Sequence, residues 1–237
     1  MIKRALLIIA KRPAAGQTKT RLSPPFSGEE AAQLYACFLK DMLEIARAIP
    51  KVRRILNYWP LAERDYFRKL APDFELLPQS GNSLGERLDN ILTYCLTHGF
   101  EQAVIANSDS PTLPVAYVQQ AFARLNDAEV VLGPCDDGGY YLIGLTRPQP
   151  RLLREVQMST PTVKRDTLAL AKEEGLKTAL LPTWYDVDTI TELERLKDDL
   201  DRTNDGVAGH TRNFLQRLEI PSPNHENYGH YSGAQLS

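Results

Sequence analysis

Four cationic side chains lie in the loop that follows the first apolar run of the chain. The run, residues 5–10, is short and is followed by a proline, which is typical of a buried parallel strand. The charged residues of the loop and its glycine are Lys11, Arg12, Gly16, Lys19 and Arg21. Cationic side chains and exposed backbone amides bind polyphosphates. The pattern favours a phosphate site over the alternative, a surface loop that is basic by chance.

Carboxylates stand in two later loops at positions suited to a divalent cation. The segment 107–111, which contains Asp109 with a serine on each side, directly follows an apolar run. Mg²⁺ typically takes only one or two protein carboxylates and completes its shell with water and phosphate oxygens. Asp186 and Asp188 are two residues apart, so on an extended segment they face the same side, and either could meet Asp109 at a shared metal. The alternatives are a turn at Asp109 and a helix cap at Asp188 or Thr189.

A third polar segment, residues 133–141, combines acids, glycines and tyrosines. Asp137 is followed by Gly138, Gly139 and Tyr140. Glycine allows positive φ and a close approach of the backbone to a ligand. The aromatic rings could stack on a sugar or base, or pack within a sheet. The residues alone leave a ligand loop and an ordinary hairpin turn equally open.

A fourth segment, residues 79–87, is polar and contains two glycines. Backbone amides and side chains of such a loop could bind a nucleobase and ribose. Ser83 and Glu86 also have the spacing of a capping box, which explains the same residues without a ligand.

The elements that position these loops alternate between strand and helix. Apolar runs predict strands at residues 5–10, 55–59, 74–77, 103–106, 129–133, 140–145 and 178–182. Helical spacing predicts helices after the capping residue Ser27 and at residues 84–98, 115–125, 161–174 and 189–200. The alternation predicts an α/β fold of three α/β/α layers with a mainly parallel sheet. In such a sheet the loops after the strands meet at one edge and bind ligands there. The polar residues 146–160 interrupt the alternation and suggest a flap or an acceptor-side loop.

Composition excludes several classes of protein. A formal net charge of -2 provides no basic field for nucleic acid. No apolar run approaches the roughly 20 residues of a membrane helix, and the apolar stretch near the N-terminus is too short for a signal peptide. We therefore expect a cytoplasmic protein that binds neither nucleic acid nor membranes. Three widely spaced cysteines and four sparse histidines argue against a zinc site and a histidine-centred triad, and they favour buried free thiols.

The domain expectation is one nucleotide-binding transferase domain over residues 1–203. Residues 204–237 would add a helix and, from about Pro221, a mobile tail rich in small and polar residues. No Rossmann fingerprint follows the first strand and no Walker A motif is present. Cations, carboxylates and polar loops at one sheet edge instead fit a metal-bound nucleotide phosphate.

These motifs together resemble a known bacterial family. The order K-x-P-x-x-G-x-x-K-T-R-L, L-G-E-R, S-D-S-P, G-P-x-x-D-G-G-Y-Y-L-I-G and W-x-D-V-D-T is similar to that of proteins with the GT-A-type fold of nucleotide-diphospho-sugar transferases. Its members are commonly labelled glycosyltransferases. The sequence is also similar to 2-phospholactate guanylyltransferases and, more distantly, to the nucleotidyltransferases of molybdenum-cofactor maturation. The resemblance covers residues 3–200. Two departures are Gln17, where a smaller or more acidic residue is expected, and the extension beyond the core.

The resemblance implies roles for the matching residues. Lys19 and Arg21 would hold phosphates and neutralise charge on the leaving group, with help from Lys11 and Gly16. Asp109 would be the principal ligand of Mg²⁺ or Mn²⁺, with Asp188 or Asp186 as its partner. The residues expected to border the base are Gln79, Gly81, Leu84 and Gly85. The residues expected to face the acceptor or sugar are Asp137, Gly138, Gly139 and Tyr140.

Two chemistries are compatible with this scaffold. In nucleotidyl transfer, a phosphorylated acceptor attacks the α-phosphorus of a nucleoside triphosphate. In glycosyl transfer, a sugar moves from a nucleoside diphosphate to a hydroxyl, with Asp137 as the base if the reaction inverts. The strongly basic first loop suits a triphosphate and favours nucleotidyl transfer slightly. A module that binds a nucleotide or sugar phosphate without turnover is the alternative outside enzymes. The expected partners are a nucleotide or nucleotide sugar and a small-molecule acceptor, and a homodimer is left open.

Overall fold

A seven-stranded sheet forms the centre of the computed structural model, which describes residues 3–203 and 206–218. The strands are β1 (Arg4–Lys11), β2 (Arg53–Trp59), β3 (Glu75–Pro78), β4 (Gln102–Ala106), β5 (Val130–Pro134), β6 (Tyr140–Leu145) and β7 (Thr178–Leu180). Their order is β3-β2-β1-β4-β6-β5-β7. Among the strands of the described residues, only β6 runs antiparallel to its neighbours, so the expected mainly parallel sheet is confirmed. The ends of the parallel strands and the start of β6 therefore share one edge.

Helices cover both faces of this sheet. They are α1 (Gly28–Arg47), α2 (Arg64–Leu70), α3 (Leu84–Thr97), α4 (Val115–Arg124), α5 (Pro150–Arg154), α6 (Val163–Glu173), α7 (Ile190–Arg202) and α8 (Gly209–Arg217), with 3-10 turns at Thr20–Leu22 and Leu61–Glu63. Alternate residues of the strands point to opposite faces. Leu6 and Ile8 of β1 pack with residues of α1, α2 and α4, whereas Leu7 packs with residues of α3, α5 and α6. The three-layer α/β/α architecture is confirmed.

A third apolar cluster joins residues 22–38 to residues 185–215. It contains Leu22 and Phe26 of the loop after β1, the N-terminal half of α1, and residues of α7 and α8. The capping box at Ser27 is present and starts α1 as predicted. The buried carboxylate of Asp41 in α1 accepts hydrogen bonds from the backbone N–H groups of His210 and Thr211 and from the Thr211 hydroxyl. These bonds attach the start of α8 to α1. The tail expected from Pro221 lies outside the described residues.

The segment expected to be a flap is partly a packed helix. Within residues 146–160, α5 buries Leu152 and Leu153 completely against the same cluster as α3. Only its later residues, from Met158, reach the cavity described below. The expected free thiols are present: Cys95 and Cys135 are buried and Cys37 is half-buried. Among the described residues, no helix has the length and apolar character needed to cross a membrane.

Candidate active site

A cavity of about 480 Å³ opens at the carboxyl edge of the sheet, a size ordinary for small-molecule sites. Its charged lining residues are Arg21, Asp109, Asp137, Asp186 and Asp188. Its apolar lining includes Ile9, Leu84, Leu88, Ile105, Ile143 and Met158. The loops after β1, β4 and β5 and the segment before α7 therefore supply one cavity, as the parallel sheet requires.

Lys19 is the buried cation beside this cavity. Its backbone is left-handed, with φ 51° and ψ 38°, and its side chain is 4% exposed. Its Nζ lies 2.7 Å from Oδ1 of Asp188 and also forms an ion pair with Oδ1 of Asp109. Burial alone would lower the pKa of Lys19, but these two carboxylates raise it above its ordinary value. Lys19 is therefore an ammonium that links the two carboxylates.

Backbone contacts bring the carboxylates of Asp109 and Asp188 together. Oδ1 of Asn107 accepts a hydrogen bond from the backbone N–H of Asp109 at 3.3 Å. The carbonyl of Asp109 accepts one from the backbone N–H of Val187 at 2.9 Å. The second bond fastens the loop after β4 to the segment before α7, so the two carboxylates are positioned by main chain.

Asp186 is held in a polar cage beneath them. Its Oδ1 accepts hydrogen bonds from Nδ2 of Asn107 at 2.7 Å and from Oγ of Ser110 at 2.6 Å. Burial and, next, the charge of Asp109 raise the pKa of Asp186 to about 6. The carboxylate is therefore costly to ionise, unlike one on an open surface.

The arrangement of donors fits a divalent cation that is completed by substrate oxygens. Asp109 and Asp188 approach the same ammonium, so a cation at that point could bind one oxygen from each. Among the described residues, no group of three acidic, histidine or cysteine side chains has the arrangement of a complete metal site. Two carboxylates are enough for Mg²⁺ when phosphate and water supply the other ligands.

A smaller cavity of about 200 Å³ adjoins the first. Both cavities are lined by Arg21, Asp137, Asp186 and Asp188, which therefore form the wall between them. A ligand pair could bind on the two sides of this charged wall.

The turn between β5 and β6 is both a hairpin and a wall of the larger cavity, so the two interpretations left open by the sequence are compatible. Oδ1 of Asp137 accepts a hydrogen bond from the backbone N–H of Gly139 at 2.8 Å, which holds its carboxylate at the cavity. Gly138 has φ +90°, and a Cβ there would overlap with the carbonyl of Pro161. Glycine is therefore needed for the turn to pack against the segment before α6.

Tyr140 lines the cavity at the start of β6. Its hydroxyl lies 3.5 Å from Sδ of Met158, and burial raises the pKa of Tyr140 to about 12. The ring is thus a neutral wall at physiological pH. The expected acceptor-facing residues Asp137, Gly139 and Tyr140 all line the cavity, whereas Gly138 supports its wall.

The residues expected to bind the rest of the nucleotide lie apart from the carboxylates. Lys11, the last residue of β1, and Gly16, in the loop after β1, are exposed and do not line this cavity. Nζ of Lys11 donates a hydrogen bond to the carbonyl of Gln17 at 3.2 Å. Gln79 donates from Nε2 to the carbonyls of Ala10 and Asn57 and so links the ends of β1 and β2.

Gly81 in the loop before α3 and the first two residues of that helix, Leu84 and Gly85, have separate positions. Leu84 lines the cavity. Gly81 has φ +130° and lies against Glu86 and Arg87. Gly85 is buried where a Cβ would overlap with the carbonyl of Leu153, so its visible role is to let α3 and α5 pack closely. Contact of Gly81 and Gly85 with a base remains a prediction.

Sequence reasoning overlooked two side chains at the site. The hydroxyl of Tyr35 lies 2.8 Å from Oγ of Ser108 and accepts from the backbone N–H of Lys11 at 3.1 Å, which connects α1, β1 and the loop after β4. Its place on the apolar stripe of α1 made it indistinguishable from a core residue. Asn107 stands beside Asp109 in the sequence and could have been recognised as a partner for a buried carboxylate.

The sequence matches a family described as an uncharacterised protein conserved in bacteria (DUF2064), over residues 42–160. A curated relative, the 2-phospho-L-lactate guanylyltransferase of Methanothermobacter thermautotrophicus, is 27% identical over 207 residues, which cover 85% of this chain and 86% of the relative.

Solved structures extend the comparison. A protein of Desulfovibrio desulfuricans G20, described as a nucleotide-diphospho-sugar transferase, has a TM-score of 0.85 and 28% identity, over 91% of this chain and 95% of the other. The 4-diphosphocytidyl-2C-methyl-D-erythritol synthase of Anaerococcus prevotii has a TM-score of 0.56 and 11% identity, over 84% and 97% of the two chains. The second match supports the fold alone, and the expected GT-A-type fold is confirmed.

Proposed function

We propose a specific reaction for this chain, which belongs to the DUF2064 family of uncharacterised bacterial proteins and is a transferase. In the proposed reaction, the protein moves a nucleotidyl group from a nucleoside triphosphate to a phosphorylated small molecule. The observation that carries the proposal is the charge arrangement at the sheet edge. A buried ammonium joins two carboxylates beside a cavity that also contains Arg21. This concentration of both signs suits a metal-bound polyphosphate.

The proposed step exchanges one phosphorus–oxygen bond for another. A phosphate oxygen of the acceptor forms a bond to the α-phosphorus, the bond from that phosphorus to the bridging oxygen breaks, and pyrophosphate leaves. Lys19 and Arg21 would bind the phosphates and neutralise the charge that develops on the leaving group. Asp137, Gly139 and Tyr140 would orient the acceptor within the cavity.

Mg²⁺ or Mn²⁺ is the proposed cofactor, with Asp109 and Asp188 as its ligands. Bound there, it would supply positive charge to the phosphate oxygens. Asp186 would support the site from its cage of Asn107 and Ser110. The residues proposed to border the base are Gln79, Gly81, Leu84 and Gly85. Lys11 and Gly16 are proposed to assist at the phosphates.

The name of the curated relative suggests the first substrates to test. A guanylyltransferase acting on 2-phospho-L-lactate uses a guanine nucleotide and a phosphorylated hydroxy acid. We therefore start from GTP and 2-phospho-L-lactate, and we screen the other nucleoside triphosphates and phosphorylated acids beside them. The cytoplasmic location and the open question of a homodimer stay predictions from the sequence.

Glycosyl transfer is the second candidate, favoured by the similarity to the Desulfovibrio protein described as a nucleotide-diphospho-sugar transferase. In that reaction Asp137 would act as the base for an acceptor hydroxyl. Its carboxylate lines the cavity while one oxygen accepts from Gly139.

The experiment measures pyrophosphate release and product mass with each triphosphate, acceptor and metal, beside nucleoside diphosphate release from nucleotide sugars. We expect metal-dependent, acceptor-dependent pyrophosphate release, lowered at least about 100-fold in Asp109→Asn, the order of loss seen when a key electrostatic group is removed. Asp127→Asn, an exposed acid after α4, is the matched control. Nucleoside diphosphate release alone would establish the second candidate, and binding without turnover would refute both.

A further inference from the structure

The ammonium of Lys19 lies where a cation shared by Asp109 and Asp188 would have to lie. We propose that Lys19 fills this position until a polyphosphate arrives, so that tight metal binding at Asp109 and Asp188 depends on nucleotide binding. This inference rests on the proposed function of the same site, and it assigns Lys19 a second role besides phosphate binding.

The geometry makes the two cations mutually exclusive. Nζ of Lys19 is 2.7 Å from Oδ1 of Asp188 and is paired with Oδ1 of Asp109. A magnesium ion binds carboxylate oxygens at about 2.0–2.1 Å, so an ion using the same two oxygens would need the space that Nζ fills. Two positive charges at one point would also repel each other, and the burial of the Lys19 side chain limits the screening of this repulsion by water.

Lys19 has no easy route to solvent. Its side chain is 4% exposed, and its Nζ lies 5.9 Å and 5.7 Å from the ring centres of Tyr35 and Phe38. A buried charge that loses its partners is strongly destabilising. Lys19 would therefore release the carboxylates only when another anion replaces them.

A nucleotide polyphosphate supplies that anion and the metal together. Its phosphates would take the ammonium, and Asp109 and Asp188 would then be free to bind the ion that the phosphates carry. The residue's left-handed backbone is an uncommon conformation for a side-chain-bearing residue, and such conformations concentrate at binding and switch segments. The carboxylate pair would thus remain neutralised in both states.

The test measures Mn²⁺ binding in the absence of nucleotide and acceptor, by the loss of the electron paramagnetic resonance signal of free Mn²⁺. Wild-type protein should bind weakly, and Lys19→Met should bind at least about tenfold more tightly because the competing charge is gone. Lys19→Arg, which keeps a cation, should resemble wild type. Lys40→Met, an exposed position on α1 with the same change in net charge, is the control.

Further substitutions identify the ligands and cover the case in which Lys19→Met does not fold. In the Lys19→Met background, Asp109→Asn should abolish the gained affinity for Mn²⁺. In the wild-type background, the same substitution should leave the weak binding of Mn²⁺ unchanged. Equal affinities of wild type, Lys19→Met and Lys19→Arg would overturn the proposal. Tight binding by wild type that Asp109→Asn removes would also overturn it. Because no substrate is present, either result would leave the proposed reaction standing.

Discussion

Replacing Asp186 by asparagine removes a buried negative charge whose surroundings make its ionisation unfavourable. The amide keeps an oxygen in place of Oδ1, so it can still accept the hydrogen bonds from Asn107 and Ser110. What disappears is the ionisation of a carboxylate whose pKa is raised by burial and by Asp109. We therefore expect Asp186→Asn to stabilise the protein in the absence of metal and nucleotide.

The size of the effect follows from the pKa of Asp186. The interval between its ordinary value of 3.8 and about 6 in the folded protein corresponds to about 3 kcal/mol of unfolding free energy. Partial contact with the solvent of the cavity reduces this to about 2 kcal/mol. Above pH 6, Asp186 is ionised in both the folded and the unfolded wild type, and Asp186→Asn should show its full gain in stability. Between pH 6 and 3.8 the folded wild type takes up the proton first, so the gain shrinks, and below 3.8 it vanishes.

Urea unfolding of wild type and Asp186→Asn at pH 8 and pH 5 tests this expectation. The gain should be largest at pH 8 and about half as large at pH 5. Asp127→Asn removes an exposed charge and should change the free energy of unfolding by less than about 0.5 kcal/mol at either pH. A variant that is no more stable than wild type at pH 8, or whose gain does not depend on pH, would refute the reasoning.

Two glycine substitutions test how the walls of the cavity are built. Gly138→Ala should lower the free energy of unfolding by at least about 2 kcal/mol and remove the thermal stabilisation by nucleotide, because strain at positive φ adds to overlap with Pro161. Gly99→Ala is the control: at φ +98° in open space it introduces the strain alone, and it should keep the stabilisation by nucleotide. Gly85→Ala should lower the free energy of ligand-free unfolding by about 1–3 kcal/mol through overlap with Leu153; an unchanged urea midpoint would contradict that packing role.

The sheet could be predicted from the sequence because its strands are short apolar runs with clear ends. The strand predicted at residues 5–10 lies within the observed β1. The strand predicted at residues 140–145 has the same bounds as the observed β6. By contrast, α2 buries only Phe67 and offers no apolar stripe for a periodicity argument. Pro150 stands in a polar segment, where it indicated a loop. In the structure it lies in the first turn of α5, a position at which proline favours the start of a helix.

The loops of the candidate site could be found from the sequence, but their internal pairing could not. The expectation that Asp109 and Asp188 approach each other follows from parallel strands that end at one edge. The ion pair between Lys19 and Asp188 joins residues 169 apart, and no local pattern indicates it. Similarly, Gly85 stands in a segment typical of ligand binding, yet its contact with Leu153 depends on how α3 and α5 pack.

The bonds between α1 and α8 have a consequence for how the chain is made. The ribosome delivers Asp41 early, but its partners His210 and Thr211 come 169 and 170 residues later. Until then the carboxylate of Asp41, a residue that is 3% exposed in the complete fold, lacks these three hydrogen bonds. Helix α1 can pack against its early apolar neighbours first, but the hydrogen bonds of Asp41 form only after residues 210 and 211 have been synthesised. A chain released before α8 would carry a carboxylate without these partners and an apolar surface that α8 no longer covers, and both changes would lower the stability of the fold.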